Sequence, residues 1–498
     1  MLRKILSAFS ARHRLLRGWT IKSFGNIESP NLHVEKGLAH HKAGHFSMAE
    51  AAYARALEID PVHADALHLQ SVLAFRQGDL DKAEDFARDA LGVVPDSPEY
   101  LNTLATLLSN MGRHEEALHA LKRALDINPD ALRARANLLF LLNIIPDVSR
   151  KQLLEEHIEW GVRHSDFAAS SAKLVSDAAN FPGSNAPGRL RVGYVSADFC
   201  SHPVGRIVSG IFECHNRRSI EVFCYDNGSD RDEVNSVLRA HAEHWMDVGG
   251  LSDEALENRI YQDAIQVLVD LSGHTRRNRL RVFGKRPAPV QATWLGYLNT
   301  TGVETIDWRI TSARADPPPY SQEWHTERLW YLAECPWTWS PPAIDPVPAI
   351  SDLPCKKLGY VTFGSFNTFR KINDEVIHTW ARILLDTPGG RLRVYGAPGG
   401  RAVDRVYDLF ESHGVDPSRV DLFASVDYQR YLLAYGDVDI SLDPFPYNGG
   451  ATTCESLWMG VPVITLAGSG GFSRSGASIA GAVGLHDLIA TTTSEYVE

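Results

Sequence analysis

The feature that most constrains the fold of this sequence is a spacing of 34 residues that recurs through its first third. Five sets of residues share it: Pro61, Pro95 and Pro129; Gly44, Gly78 and Gly112; Ala49, Ala83 and Ala117; Ala56, Ala90 and Ala124; and Leu57, Leu91 and Leu125. Glycine permits the positive φ of a turn between two helices, and alanines let the helices pack closely. A proline is expected to begin each unit, where a helix N-terminus lacks a partner for its N–H. Because one helix pair cannot bury its own apolar face, the pairs should stack into an α-solenoid over residues 31–145.

The period and residue pattern resemble those of the tetratricopeptide (TPR) family. The resemblance implies a docking surface for protein partners or substrates; a purely structural or dimerising solenoid is the alternative, and homo-oligomers through the repeats are compatible with both. A further helix over 131–142 is expected to cap the array. Asn102 and Asn137 share a register and could bond the backbone of an extended peptide.

Composition and charge exclude several classes of protein. The net charge of −11 argues against bulk nucleic-acid binding, which needs a basic surface. Six cysteines without a CxxC pair favour a reducing compartment, and hence the cytoplasm, over a disulfide framework or a zinc site. No apolar run is long enough to span a bilayer. The basic segment 1–30 is expected to be an amphipathic helix or a loose tail, with a membrane-surface anchor as the alternative.

After a helical connector and linker at 146–188 the periodicity changes to short apolar runs that alternate with helical stretches. This alternation is typical of parallel α/β structure. The predicted strands are 190–195, 222–225 and 267–271, followed by 361–366, 392–396, 420–423, 438–442 and 463–466. A Pro-rich stretch at 336–357 is expected to link a first lobe, 189–335, to a second lobe, 358–498. The predicted fold class is therefore α plus α/β: a solenoid followed by two Rossmann-like lobes, which bind ligands beyond the carboxyl ends of their strands.

The strongest motif lies in the second lobe, where LDPFPYNGGATTCESLWMGVP spans 442–462. A strand ends there in a Gly-rich loop, and a helix then opens with Thr452 and Thr453. Free N–H groups and hydroxyls at a helix N-terminus form an anion site, and glycine lets the backbone approach a diphosphate. Glu455, in the first turn, could accept hydrogen bonds from ribose hydroxyls. A tight turn with an N-capping threonine is the alternative.

Two other motifs carry candidate catalytic side chains. In GSFNTFRK, at 364–371, Lys371 follows a strand and could neutralise a diphosphate leaving group, although a solvated Arg370–Lys371 pair has the same sequence. In GYVSADFCSHP, at 193–203, His202 could act as a base or orient the acceptor, although a lone histidine is more often structural.

The first lobe also supplies a candidate sugar or acceptor pocket. It is built from DLSGHTRRN at 270–278 and PAPVQATWLGYLNTTG at 287–302. Its members are His274, Thr275, Gly296, Thr300 and Thr301. Asp437 and Asp439 form a D-x-D, a pattern that binds a divalent metal in some enzymes; here it opens a predicted strand, and we expect no metal site.

Behind the TPR pattern, these five stretches resemble the O-linked N-acetylglucosamine transferase and SPINDLY family. The resemblance implies a two-lobed GT-B fold and metal-free, inverting transfer from a nucleotide sugar, UDP-N-acetylglucosamine, to Ser or Thr of proteins. It implies Lys371 and His202 as catalytic residues. Its donor-binding residues would be Asn367, Gly450, Ala451, Thr452, Thr453 and Glu455.

The sequence departs from the animal members in several places. Tyr261 lies within RIYQD, a stretch that contains a histidine in the animal members. Gly450-Ala451 replaces a histidine that precedes the paired threonines in those members. The GHT and FPYNGGATTCESL stretches are closer to SPINDLY, whose plant members use GDP-fucose. GDP-fucose and UDP-glucose therefore stay open as donors, and a TPR scaffold with an inactive transferase part stays open as a function. The family usually continues beyond the point reached at Glu498, so we expect either a truncated record or an enzyme without part of its closure.

Overall fold

A computed structural model describes residues 29–165, 188–341 and 346–498. The predicted basic segment lies outside these residues, apart from its last two positions, as do parts of both predicted linkers. The described chain forms two compact units. One unit runs to Leu138 and includes Pro398–Val403, and the other comprises Leu139–Ala397 and Asp404–Glu498.

The repeats form antiparallel helix pairs, as predicted. The helices are α1 Pro30–Ala43, α2 Phe46–Ile59, α3 Ala64–Gln77, α4 Leu80–Val93, α5 Pro98–Asn110, α6 His114–Ile127 and α7 Leu132–Leu142. Gly44, Gly78 and Gly112 lie in the turns with φ of 80°, 86° and 76°, which confirms the predicted left-handed conformation. The repeated alanines have no exposed surface, so the helices approach closely at these positions.

The prediction that the repeated prolines begin helices is wrong. Pro61, Pro95 and Pro129 lie three residues before α3, α5 and α7, in the turns between units. The fixed φ of proline suits a turn as well as a first helical turn, so the sequence pattern alone does not separate the two positions. A different proline, Pro98, occupies the first turn of α5.

Asn102 and Asn137 bond to each other. The Asn137 side-chain amide donates to Oδ1 of Asn102 over 2.8 Å, and Asn102 is buried. This hydrogen bond joins consecutive repeats, which is a use for the shared register that the sequence did not reveal.

The second unit contains α8, Arg150–His164, and the first lobe. A parallel seven-stranded sheet has the order β3-β2-β1-β4-β5-β6-β7. The elements are β1 Leu190–Ser196, α9 Pro203–Cys214, β2 Ile220–Asp226, α10 Glu233–His241, β3 His244–Asp247, α11 Asp253–Gln262, β4 Val267–Asp270, α12 Leu280–Gly284, β5 Val290–Thr293, β6 Trp308–Ser312 and β7 Arg328–Leu332. The core packs the apolar faces of β1 and β2 against α9. Strands β3, β6 and β7 were not predicted, because they mix polar and apolar residues.

The second lobe is a parallel six-stranded sheet in the order β10-β9-β8-β11-β12-β13. Its elements are α13 Pro354–Leu358, β8 Thr362–Ser365, α14 Asp374–Asp386, β9 Arg391–Tyr395, α15 Gly400–Ser412, β10 Val420–Phe423, α16 Tyr428–Ala434, β11 Ile440–Leu442, α17 Ala451–Trp458, β12 Val463–Leu466, α18 Ser475–Ala482, β13 Ile489–Ala490 and α19 Thr493–Val497. The predicted pair of Rossmann-like lobes is confirmed. The short helix α13 begins within the Pro-rich stretch, and β13 extends the sheet beyond the last predicted strand.

Both aspartates of the D-x-D bond to other residues of the second lobe. Asp439 is buried and accepts hydrogen bonds from the backbone amides of Cys355 and Thr362 over 3.0 and 2.8 Å. Asp437 pairs with Arg393 over 2.8 Å. In the part of the chain that the structure describes, no helix combines the length and apolar character needed to cross a membrane.

Hydrogen bonds join the segment after β12 in the second lobe to the first lobe and to α8. Asp316 of the first lobe accepts from the amide of Gly471 over 3.1 Å, and Asp316 is fully buried. Arg150, on α8, donates to the carbonyl of Ser469 over 2.9 Å. These contacts fix the segment between β12 and α18 against the first lobe and α8.

Candidate functional site

Lys371 lies at the carboxyl end of β8, in a single 3₁₀ turn. Its ammonium donates to Oδ1 of Asn367 over 3.1 Å and to the carbonyl of Asn448 over 2.8 Å. It also lies 4.8 Å from the centre of the Tyr447 ring. The motif after β8 and the loop after β11 therefore meet at this cation, as the sequence predicts for neighbouring parallel strands.

Burial lowers the pKa of Lys371 to about 8, an effect that Asp443 opposes and Arg370 increases. The side chain therefore stays protonated at neutral pH but close to its titration range. The two hydrogen bonds occupy two of the three N–H groups of the ammonium. The site thus holds a fixed positive charge at low cost in reorganisation, which is what a developing anion requires.

Asp443, which the sequence motifs did not indicate, holds the Gly-rich loop after β11 in place through hydrogen bonds. Its buried carboxylate accepts from the amide of Gly449 over 2.6 Å, from the hydroxyl of Thr465 over 2.8 Å and from Asn367 over 3.4 Å. Burial raises the pKa of Asp443 to about 6. The available signal was an acidic residue directly after a strand, LDP, on the side of the sheet that carries the Gly-rich loop.

The N-terminus of α17 lies beside this cluster. Gly450 is the N-cap, and Ala451 begins the helix. Thr452 donates to Oδ1 of Asn367 over 3.2 Å, so one amide oxygen joins the threonine to Lys371. The hydroxyl of Thr453 is buried and, among the described residues, has no hydrogen-bond partner. Hydroxyls and N-terminal helix amides are suited to phosphate oxygens.

A side chain at position 450 would meet an aromatic ring. A Cβ built on Gly450 lies 2.9 Å from the ring of Trp337, which is closer than real Cβ contacts allow. Trp337 comes from the Pro-rich stretch and packs against the first-lobe core. The indole therefore occupies the space into which a larger residue before the paired threonines would extend.

Glu455 is buried and already bonded. It accepts from the hydroxyls of Tyr428 and Tyr431 over 2.7 and 2.8 Å. Arg206 of the first lobe lies 3.4 Å from the same carboxylate. Burial raises the pKa of Glu455, and these three partners oppose the rise. Ribose binding by Glu455 stays a prediction, and the two tyrosines and Arg206 are additions that the sequence motifs did not indicate.

His202 is the N-cap of α9, in the segment that follows the carboxyl end of β1. Its Nδ1 accepts from the amide of Val204 over 3.3 Å, and Asp198 lies 4.0 Å away. Burial lowers the pKa of His202, Asp198 opposes this, and Arg206 lowers the pKa further. The ring is therefore neutral at pH 7, and with Nδ1 as acceptor it carries its proton on Nε2.

The candidate pocket residues of the first lobe form bonds with one another and with the core. His274 donates through Nε2–H to the carbonyl of Thr301 over 2.7 Å, and its ring packs against Trp160 and Tyr297. Burial lowers the pKa of His274 well below its usual value. The ring is therefore a neutral core group, and a role in binding a sugar stays a prediction.

The threonines and the glycine of this group have structural partners as well. Thr300 donates to the buried carboxylate of Glu327 over 2.7 Å, and Thr301 bonds it through both amide and hydroxyl. Thr275 donates to the carbonyl of Ser272 over 2.7 Å. A Cβ on Gly296 would lie 1.9 Å from the carbonyl oxygen of Leu271, so glycine is required by close backbone packing there.

Comparison with known proteins agrees with this arrangement. The family model of glycosyl transferase family 41 matches residues 156–338 and 353–498, and two tetratricopeptide repeat models match residues 34–98 and 98–131. A solved mutant of the O-GlcNAc transferase of Thermobaculum terrenum is similar over 96% of this chain and 89% of that chain, with 33% identity and a TM-score of 0.88.

Curated relatives match a smaller share of their own length. The probable UDP-N-acetylglucosamine–peptide N-acetylglucosaminyltransferase SPINDLY of Solanum lycopersicum is 38% identical over 387 residues, which is 75% of this chain and 40% of the relative. The UDP-N-acetylglucosamine–peptide N-acetylglucosaminyltransferase of Caenorhabditis elegans is 25% identical over 62% of this chain and 37% of its own. The chain thus spans about 40% of the length of the plant relatives it matches. The family model, the paired lobes and the similarity to the bacterial structure show that the chain belongs to glycosyl transferase family 41.

Proposed function

We propose that this chain is an inverting protein O-glycosyltransferase that moves N-acetylglucosamine from UDP-N-acetylglucosamine to Ser or Thr hydroxyls of proteins. The observation that carries the proposal is the ammonium of Lys371, held by Asn367 and the Asn448 carbonyl beside the N-terminus of α17. Family membership and the activities for which the relatives are named support the reaction class and the donor.

The leaving group is a nucleoside diphosphate, on which negative charge grows as the bond to the sugar breaks. Lys371 opposes that charge from a fixed position, and the first amides of α17 supply donors to the phosphate oxygens, together with the Thr452 hydroxyl once it exchanges its bond to Asn367 for one to phosphate. Because these groups belong to the chain itself, we propose that the reaction needs no metal ion. The D-x-D carboxylates support this, since one is bonded to backbone amides and the other to an arginine.

On the acceptor side, His202 is a neutral imidazole with Nδ1 bonded to a backbone amide. In this tautomer Nε2–H donates, so the ring is suited to orient a hydroxyl or phosphate oxygen. We therefore assign His202 an orienting role and leave the proton acceptor unassigned.

The TPR array is proposed to capture the protein substrate, since a stacked solenoid presents an extended surface. We place the reaction in the cytoplasm, which the reducing character implied by six free cysteines supports.

GDP-fucose is the second candidate donor, because the GHT and FPYNGGATTCESL stretches resemble those of SPINDLY, and SPINDLY proteins are among the relatives of this chain. The test is a thermal-shift screen of the purified chain with UDP-N-acetylglucosamine, UDP-glucose and GDP-fucose, followed by transfer to a peptide acceptor in the presence of EDTA. A ligand that binds only the folded state raises the melting temperature. Stabilisation and transfer with UDP-N-acetylglucosamine alone support the proposal; transfer only from GDP-fucose replaces its donor, and a strict metal requirement contradicts the mechanism.

A further inference from the structure

Arg206 lies on α9 of the first lobe and reaches the second lobe. Its Nη1 is 3.4 Å from Oε1 of Glu455, and its guanidinium carbon lies 3.9 Å from the centre of the Tyr428 ring. Its Nη2 donates to the hydroxyl of Ser201 over 3.0 Å. The guanidinium is thus anchored in its own lobe while it contacts two residues of the other.

Glu455 is oriented by this contact together with two others. Its Oε1 accepts from Tyr428 and Arg206, and its Oε2 accepts from Tyr431. A carboxylate offers about four lone-pair directions, so three partners fix its plane and still leave room for another donor. A buried carboxylate without a cation nearby tends to become protonated, which removes acceptor capacity.

Resting on the proposed function, we propose that Arg206 is a positioning residue for the donor: it orients Glu455 toward the ribose hydroxyls, so that the ribose site of the second lobe is complete only with a guanidinium from the first. Arg206 acts through Glu455 and need not touch the donor itself. The donor's ribose is thereby recognised by both lobes at once.

The first consequence concerns the sugar of the nucleotide. A ribose 2′-hydroxyl that donates to an oriented carboxylate forms a charge-assisted hydrogen bond. Loss of such a bond typically weakens binding by about tenfold or more. A 2′-deoxynucleotide should therefore bind less tightly to the wild-type chain. Without Arg206, Glu455 is less well oriented, and the difference between the two nucleotides should shrink.

The second consequence concerns pH. Arg206 lowers the pKa of Glu455 against the opposite effect of burial. Removing the guanidinium raises the pKa, so the carboxylate becomes protonated at a higher pH than in the wild type, and nucleotide binding is lost at a correspondingly higher pH.

Other titratable groups near Glu455 do not produce the same change. Those facing it, or facing Arg206, are Tyr428, Tyr431 and Tyr435 around α16, Cys454 on α17 and His202 at the start of α9. Burial raises the pKa of the tyrosines and of the thiol, so they stay neutral across the acidic and neutral range. Burial lowers the pKa of His202, and loss of Arg206 would raise that pKa; a cationic His202 favours an anionic ligand at low pH, opposite in sign to the effect expected from Glu455.

The experiment uses UDP and 2′-deoxy-UDP, and GDP with its deoxy form, in titration calorimetry from about pH 5 to 8. This range covers the titration of histidine and of a carboxyl group whose pKa is raised by burial. The variants are Arg206→Met, Arg206→Gln and Arg206→Lys, with Arg218→Met as a control that removes a cation from an exposed position of the same lobe. We expect Arg206→Met and Arg206→Gln to reduce the ribose preference from about tenfold to within about threefold and to shift the acidic loss of binding upward. Arg206→Lys should restore part of both effects, and Arg218→Met should match the wild type.

Variants that fold by circular dichroism yet keep the wild-type ribose preference and pH profile overturn the inference. A wild-type chain that binds neither UDP nor GDP overturns the proposed function instead, so the two failures are distinct. In peptide transfer assays, Arg206→Met should raise KM for the donor by a larger factor than it lowers kcat. If kcat falls by as large a factor as KM rises, the role of Arg206 is not confined to donor positioning.

Discussion

Each lobe places a buried carboxylate beneath a polar loop, and the two loops differ in what remains free. In the first lobe, Glu327 binds the hydroxyls of Thr300 and Thr301 as well as a loop amide. In the second lobe, Asp443 binds the amide of Gly449 and a hydroxyl from strand β12. The first carboxylate therefore uses the hydroxyls of its own loop. Beside the second loop, Thr452 donates to Asn367, and the hydroxyl of Thr453 has no hydrogen-bond partner among the described residues.

This difference separates a structural network in the first lobe from the proposed binding site in the second. Both loops follow parallel strands and both contain glycine and paired threonines, so their sequences carry the same signal. The position of one acidic residue, Glu327 or Asp443, decides which donors are satisfied within the protein. The cations beside the two loops add a second distinction. Arg309 is buried and donates to the carbonyls of Tyr297 and Asn299 in the first loop, whereas the ammonium of Lys371 keeps one N–H beyond its bonds to Asn367 and Asn448.

The largest effect that this comparison predicts is on Lys371. Lys371→Met keeps the bulk of the side chain but removes the charge that opposes the leaving group, so single-turnover transfer should fall by about 10²–10³, or roughly 3–4 kcal/mol of barrier. The loss should appear mainly in kcat, because the charge grows in the transition state. The measurement is transfer to a peptide acceptor.

The matched control is Lys357→Met, which removes an exposed lysine from α13 of the same lobe. It should leave the rate unchanged. If Lys371→Met keeps more than about a third of the wild-type rate, the cation is not the distinguishing feature of the second loop.

The next effect should be on stability in the first lobe. Thr301→Val removes a hydroxyl from the buried Glu327 and should lower the free energy of unfolding by about 1–3 kcal/mol. Thr275→Val, which loses one bond to the Ser272 carbonyl at a partly buried position, should cost less. Denaturant titration measures both. A large fall in kcat for fully folded Thr301→Val would instead place this hydroxyl in the reaction.

A smaller effect is expected from pH. Since the pKa of Lys371 is about 8, its charge is present below that value and lost above it. For the free enzyme kcat/KM should therefore fall as pH rises through about 8, reaching roughly tenfold for each unit above it. Lys371→Met should lack this descending limb. A wild-type profile that stays flat to about pH 9.5 would contradict the assignment, because the ordinary lysine pKa is about 10.4.

The smallest effect should come from the contact between Gly450 and Trp337. Gly450→Ala introduces a Cβ within 2.9 Å of the indole, and the resulting shift of the α17 N-terminus should weaken nucleotide binding by about 1 kcal/mol. Trp337→Ala combined with Gly450→Ala should recover part of that loss. Calorimetry with UDP and GDP tests both variants, and additive losses in the double variant would show that the two residues do not interact.

Much of the fold was accessible from the sequence, since repeat spacing and apolar strands are local patterns. The positions of Lys371, Asn367 and Thr452 also followed, because each lies just after a strand and neighbouring parallel strands share an edge. The roles of Arg206, Tyr428 and Asp443 did not follow. Their roles depend on contacts between segments that are distant along the chain. Arg206 and Glu455, for example, are 249 positions apart. The prediction that the repeated prolines begin helices was wrong for another reason, because a turn and a first helical turn accept the same φ.

The contacts of Asp316 with Gly471 and of Arg150 with Ser469 have a consequence for protein engineering. A chimaera that exchanges the second lobe for that of a relative with another donor would inherit the incoming 469–471 segment. That segment must present a backbone amide to Asp316 and a carbonyl to Arg150, or a buried carboxylate and a guanidinium each lose one partner. Donor exchange by recombination is therefore expected to succeed only when the incoming segment keeps the backbone conformation of residues 469–471, so that the two lobes are not independent interchangeable modules.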